Sequence, residues 1–284
     1  PILKKTPMKT ILVPTDFSIP ADSAIHYAVK LAALWDASLI LYHSFIPFES
    51  GFYHLSVSEK ENLEAHNVLT ERLNVIKNSI VKKNPNLSIS THVDEGLPGT
   101  RIIEFCKKNK TDLIIMGTKG ASGLQAKLIG SFTADVMANA PCPLLVIPNK
   151  YKFKMPTKIM YATNYTSKDK KILQYLLKFN QVFNAKINIL HIDWGITLFT
   201  ADEDYEKYKK TIQNHFKNFE FSFNHTVGKD VSKTILEESL VNKTDIIVMN
   251  PIKRKGIWNR IFHRSVTKKM AYHIPIPLLS IPIK

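Results

Sequence analysis

The sequence predicts an α/β protein built from two copies of one unit, each a parallel sheet covered by helices. Three observations predict this. Short apolar, β-rich runs alternate with stretches of helical period, which implies strand–helix–strand crossovers. Runs such as "LIIM" are apolar without alternation, as in a sheet buried on both faces. The whole pattern then recurs: "KTILVPTDFS" (Lys9–Ser18) aligns with "TKIMYATNYT" (Thr157–Thr166), and "NKTDLIIMG" (Asn109–Gly117) with "NKTDIIVMN" (Asn242–Asn250).

Taken in order, the first copy has strand runs at Ile11–Pro14, Leu39–Tyr42, Leu87–Val93, Leu113–Met116 and Leu144–Ile147. Helical patterns lie between them, at Ala21–Trp35, Glu59–Val81, Thr100–Lys108 and Phe132–Ala138. In the first of these, Ala24, Tyr27, Ala28, Leu31 and Leu34 fall on one expected buried face. The second copy repeats the strands at Ile159–Tyr161, Ile187–Leu190, Phe219–Phe223, Ile246–Met249 and Leu278–Ile281. The domains expected are residues 1–150 and 151–284, joined near Asn149–Pro156.

The formal net charge is +15. Residues 1–150 carry 16 Lys and Arg against 13 Asp and Glu, whereas residues 151–284 carry 23 against 11. The excess therefore belongs to the second copy. No apolar run approaches the ~20 residues that span a bilayer, and the basic opening "PILKKTPMKT" lacks the apolar stretch of a secretory signal. Cys106 and Cys142 stand in unrelated sequence settings and read as small packed hydrophobes. A cytoplasmic location is expected.

The chemistry-bearing stretch is "GTKGASGLQAKLIGS", with the spacing Gly117-x2-Gly120-x9-Gly130-Ser131. It follows a buried strand and opens onto a helix. In an open parallel sheet, ligands bind beyond the carboxyl ends of strands at a switch point. A helix N-terminus there offers free N–H groups and a positive dipole end, suited to phosphate. Gly117 and Gly120 would admit a sugar or phosphate close to the backbone, and Ser131 and Thr133 add hydroxyls. The phosphate-loop ending Gly-Lys-Ser/Thr is absent, and so is the dinucleotide fingerprint, because the first strand ends "VPTDFS". Asp16 followed by Ser18 also reads as a helix N-cap. His43 and His191, at matching strand ends, read as packed, hydrogen-bonded histidines.

With these motifs the chain resembles the universal stress protein family, whose nucleotide signature Gly-x2-Gly-x9-Gly-Ser/Thr the first copy matches throughout. "ILVPTDFS", "DLIIMGTKG" and "PCPLLVIP" are similar to family segments as well. The resemblance implies Rossmann-like, adenine nucleotide alpha hydrolase-like domains, each a five-stranded parallel sheet of order 3-2-1-4-5. It implies a stress-response protein that binds ATP or AMP, with magnesium as an optional companion. Carried onto this chain, the nucleotide site comprises Pro14, Thr15 and Asp16 beside the adenosine, and Ser44 by the adenine. Met116, Gly117 and Gly120 would line the ribose and phosphates, and Gly130, Ser131, Phe132 and Thr133 would form the phosphate cradle. Family members also dimerise through their last strands, so an internal pseudo-dimer is expected, with a homodimer as a further arrangement.

In the second copy Asn250, Lys253 and Arg264 stand where the first has Gly117, Gly120 and Gly130, and Asn164 stands for Asp16. No ATP site of the family type is expected in residues 151–284. Lys253, Arg254, Lys255, Arg260 and Arg264 instead gather in one loop, open to three readings: a polyanion surface, a solvated loop in a basic domain, or cations set near the first copy's nucleotide across the pseudo-dimer. No general base and no magnesium-binding carboxylate pair is recognisable, so at most slow ATP hydrolysis is expected. The alternative function is a non-catalytic adaptor with an unidentified protein partner.

Overall fold

The structure is a computed structural model that describes residues 8–48, 55–118, 131–193, 201–251 and 275–283. It divides into two compact units, Pro1–Phe153 and Lys154–Lys284.

In the first unit the described order is β1 (Thr10–Pro14), α1 (Ile19–Trp35), β2 (Ser38–Phe45), α2 (Leu55–Lys83), β3 (Ile89–Glu95), α3 (Pro98–Lys108), β4 (Leu113–Gly117), α4 (Ser131–Asn139) and β5 (Leu144–Ile147). The strands lie in the order β3-β2-β1-β4-β5, and each described pairing is parallel. The inner strands are apolar throughout because both faces are covered: Ile11, Leu12, Val13, Leu113, Ile114 and Ile115 are fully buried. β1 pairs with β2 on one side and β4 on the other, so the chain reverses its direction of travel across the sheet between them. In an open parallel sheet such a switch point is where ligands bind, outside the carboxyl ends of the strands.

The second unit has β6 (Lys158–Thr163), α5 (Asp169–Asn180), β7 (Lys186–Asp193), α6 (Ala201–His215), β8 (Phe221–Val227), α7 (Val231–Val241), β9 (Ile246–Met249) and β10 (Leu278–Ser280). Its strand order, β8-β7-β6-β9-β10, reproduces the first unit's. The stretch aligned with α4 falls outside the described residues, as do Lys253, Arg254, Lys255, Arg260 and Arg264.

The repeated "NKTD" has a structural cause in both units. Asp112 accepts from the backbone N–H groups of Lys9 and Thr10 at 2.9 and 3.0 Å, pinning the start of β1. Asp245 does the same for β6, accepting from Thr157 N at 2.7 Å and Lys158 N at 3.0 Å. It also pairs with Lys154 at 2.5 Å. Burial pushes the Asp245 carboxyl up, but Lys154 and the Thr157 and Lys158 donors outweigh burial and hold it below its ordinary value.

Three expectations shift. On α1, Ala24, Tyr27, Ala28 and Leu31 are buried, but Leu34 is 41% exposed. Trp35, one i+4 step past Leu31, closes the stripe at 1% exposed. The third strand of each unit starts two residues after its apolar run begins. Leu87 and Phe219 belong to the preceding turns, where their N–H groups donate to Asn84 O and Phe216 O. Finally, the two cysteines are neighbours. A hydrogen bond from Cys142 holds the Cys106 thiol below its ordinary value, and the same contact, with burial, pushes the Cys142 thiol up. Both are free and buried.

Candidate functional site

The turn after β1 is built from the residues that end it. Thr15 continues the strand register by donating its N–H to Tyr42 O at 2.8 Å. Its hydroxyl accepts from Phe17 N at 3.0 Å, and its carbonyl accepts from His43 Nδ1 at 2.7 Å. Phe17 therefore adopts φ of 63°, a left-handed conformation that a bulky side chain rarely takes. Its ring lies 4.8 Å from His43 and beneath the Arg72 guanidinium, at 4.1 Å. Asp16 then shapes the entry to α1. One carboxylate oxygen accepts from Ser18 N at 3.1 Å and from Ser18 Oγ at 2.5 Å. Ser18 is the N-cap, accepting from Ala21 N at 3.4 Å.

The structure gathers the sequence-predicted residues at the carboxyl ends of β1, β2 and β4. Pro14 closes β1, Ser44 lies buried near the end of β2, and Met116 and Gly117 close β4. Gly117 is required by packing. A Cβ there would stand 2.5 Å from the Pro20 carbonyl oxygen and 2.7 Å from its carbon, in the first turn of α1. The sequence reading had tied this glycine to ligand approach alone. Thr133 is buried in α4 and donates its hydroxyl to Gly117 O at 3.2 Å, which ties the start of α4 to the end of β4. That hydroxyl hydrogen is thus committed to the protein. Ser131 and Phe132 open α4. Gly120 and Gly130 lie outside the described residues.

The second unit keeps this corner and changes its chemistry. Tyr165, at φ of 54°, donates its N–H to Thr163 Oγ1 at 3.0 Å, and the Thr163 carbonyl accepts from His191 Nδ1 at 2.9 Å. The Tyr165 and His191 rings stack at 4.0 Å. Asn164 replaces Asp16. Helix α5 starts at Asp169, two residues later in the aligned frame than α1. Asp169 is 1% exposed, and its carboxylate accepts from the hydroxyls of Thr163, Thr166 and Tyr208. Burial, aided by the nearby His225, holds the His191 imidazole below its ordinary value, and the Thr163 carbonyl only partly offsets this.

The repeated threonine–aromatic corner was missed as a functional feature in the sequence. The signal was present, as "TDF" in one copy and "TNY" in the other, each followed by His at the next strand end. Among the described residues no three His, Cys, Asp or Glu side chains are grouped to hold a metal ion. No described helix is long and apolar enough to cross a membrane.

A parallel sheet of this order, with a glycine series in the sequence between β4 and α4, defines a Rossmann-like α/β protein. The profile described as the universal stress protein family matches residues 7–148. Universal stress protein MJ0531 of Methanocaldococcus jannaschii is 35% identical over 51% of this chain and 84% of its own length. MJ0577 of the same organism is 30% identical over 50% of this chain and 96% of its own. A universal stress protein from Archaeoglobus fulgidus superposes over 98% of this chain and 99% of its own with a TM-score of 0.76. At 15% identity that last likeness speaks for the fold alone. The chain belongs to the universal stress protein family.

Proposed function

We propose that the first unit binds an adenine nucleotide, ATP or AMP, at the carboxyl ends of β1 and β4, and that the protein acts as a sensor or regulator in a stress response. The observation that carries this reading is positional. β4 ends at Gly117 beside the switch point and α4 begins at Ser131, so the glycine series runs between a strand end and a helix N-terminus. Asp16 would accept from ribose hydroxyls while it supports Ser18, and Pro14, Thr15, Ser44 and Met116 stand at the same end of the sheet. Gly120, Gly130, Ser131 and Phe132 complete the set, and magnesium would accompany the phosphates. Mass spectrometry of small molecules released from the purified, denatured protein tests this. An adenine nucleotide is expected, and its absence from protein given excess ATP before purification contradicts the reading.

The charge distribution favours a second activity. The cationic excess lies in the second half, where Lys253, Arg254, Lys255, Arg260 and Arg264 occupy the frame of the first copy's phosphate loop. This loop is the candidate surface for a polyanion or an acidic protein partner. Neutralising it should flatten the salt dependence of binding to nucleic acid. No binding by the unmodified protein at low salt removes this reading.

A further inference from the structure

A cleft of about 640 Å³ opens at the carboxyl ends of β6 and β7, between the start of α5 and the face of α6. This is the size range of small-molecule sites, roughly 300–1,000 Å³. We propose that it binds a linear di- or polyamine, with its ammonium groups on separate carboxylates and its methylene chain against the aromatic wall.

The buried charged side chains that line the cleft are both acidic. Asp169 is 1% exposed and Asp193 is 5% exposed, and Asp204 stands exposed at the mouth. Lys170 and Lys207 also line it, but both are exposed, and their long stems let the ammonium groups stay in water. The acidity is particular to this unit. In the repeat frame the first unit has Ala21 for Asp169 and Phe45 for Asp193. Carrying the β3–β8 equivalence back through the preceding helices places Arg72 at Asp204. Three carboxylates have thus replaced an alanine, a phenylalanine and an arginine in a half whose other changes add positive charge.

The rings supply the rest. Tyr165 stacks on His191 at 4.0 Å and lies 4.3 Å from Tyr208, and all three line the cleft. Aromatic faces attract ammonium groups and pack well against methylenes. His191, held neutral by burial near neutrality, adds no repelling charge. The Tyr165 hydroxyl is buried and has no hydrogen-bond partner among the described residues. An anion is disfavoured, because Asp169 occupies the first turn of α5, where a phosphate would otherwise seek the helix N-terminus. A metal ion is disfavoured because no three His, Cys, Asp or Glu side chains among the described residues are grouped to hold one. Carboxylates contributed by three elements, α5, β7 and α6, suit a ligand with more than one cationic group.

The test is calorimetric titration of the full chain with spermidine and putrescine, with magnesium chloride and AMP as comparison probes. The protein's net charge of +15 opposes non-specific polyamine binding, so saturable binding is informative. Spermidine should bind one site per chain, and Asp193→Asn or Asp204→Lys should weaken it at least about tenfold, the scale of one lost charge-assisted hydrogen bond. Glu237→Gln, a change at a surface carboxylate paired with Lys233, should leave binding unchanged. Asp204 is exposed, so its variant keeps the test valid if Asp193→Asn fails to fold. The proposal is overturned if the unmodified protein does not bind spermidine, if magnesium displaces it at equal ionic strength, or if AMP binding is what the two variants lose.

Discussion

Gly117 ends β4 directly against Pro20, and a Cβ at 117 would lie 2.5 Å from the Pro20 carbonyl oxygen. Backbone cannot yield as a flexible side-chain end can, so Gly117→Ala must displace the first turn of α1 or the end of β4. The expected cost is about 1–3 kcal/mol, the usual range for overpacking. Denaturant unfolding of the variant checks this. Asn250→Ala, at the aligned place in the second unit, should cost less, because Asn250 already carries a Cβ and the change adds none.

Asp245 and Asp112 perform one task in the two units, and Asp245 has the extra partner Lys154. The backbone donors matter more than the ion pair. Lys154 is 58% exposed at its side chain against 7% for Asp245, so water screens the attraction. Asp245→Ala should cost about 2–3 kcal/mol by stranding the Thr157 and Lys158 N–H groups, and Lys154→Ala less than about 1 kcal/mol. Because the folded Asp245 carboxyl lies below its ordinary value, its contribution is present above that value, 3.8, and lost as pH falls through the folded one. Acid titration of thermal stability should show a shallower decline below about pH 4 in the Asp245→Asn variant than in the parent.

His191 gives a second pH window of opposite chemistry. Its folded value lies below the ordinary 6.5, so the unfolded chain takes up the proton first as pH falls. Stability tied to the neutral ring is therefore complete above about pH 6.5 and declines below it, until the folded group also protonates. His191→Asn retains a donor near the Thr163 carbonyl but does not titrate. Its melting temperature should change less between about pH 7 and pH 5.5 than that of the parent.

The fold was legible because apolar runs, their spacing and their repetition all pointed the same way. The ends of elements were less so. Leu87 and Phe219 carry apolar side chains in turns, and periodicity cannot separate a turn residue from the first residue of a strand. The nucleotide corner was legible as residue types at strand ends, but not as geometry. Nothing in "TDFS" announces that Phe17 takes a left-handed conformation under Arg72. The acidic cleft was invisible in the sequence. Asp169 reads as an ordinary first-turn acid with Thr163 and Thr166 as local partners, and Tyr208 reaches it only through the crossover from β6 to α6. Cys106 and Cys142 likewise meet only in three dimensions.

Titrating ATP and AMP calorimetrically into the full chain, its Gly130→Val variant and its Asp16→Asn variant tests the central claim most directly. The account predicts saturable binding of one nucleotide per chain, abolished by Gly130→Val. Asp16→Asn, which installs the second copy's residue while retaining an oxygen for Ser18, should weaken binding about tenfold. Absence of binding by the unmodified protein, or binding that both variants retain in full, would contradict it.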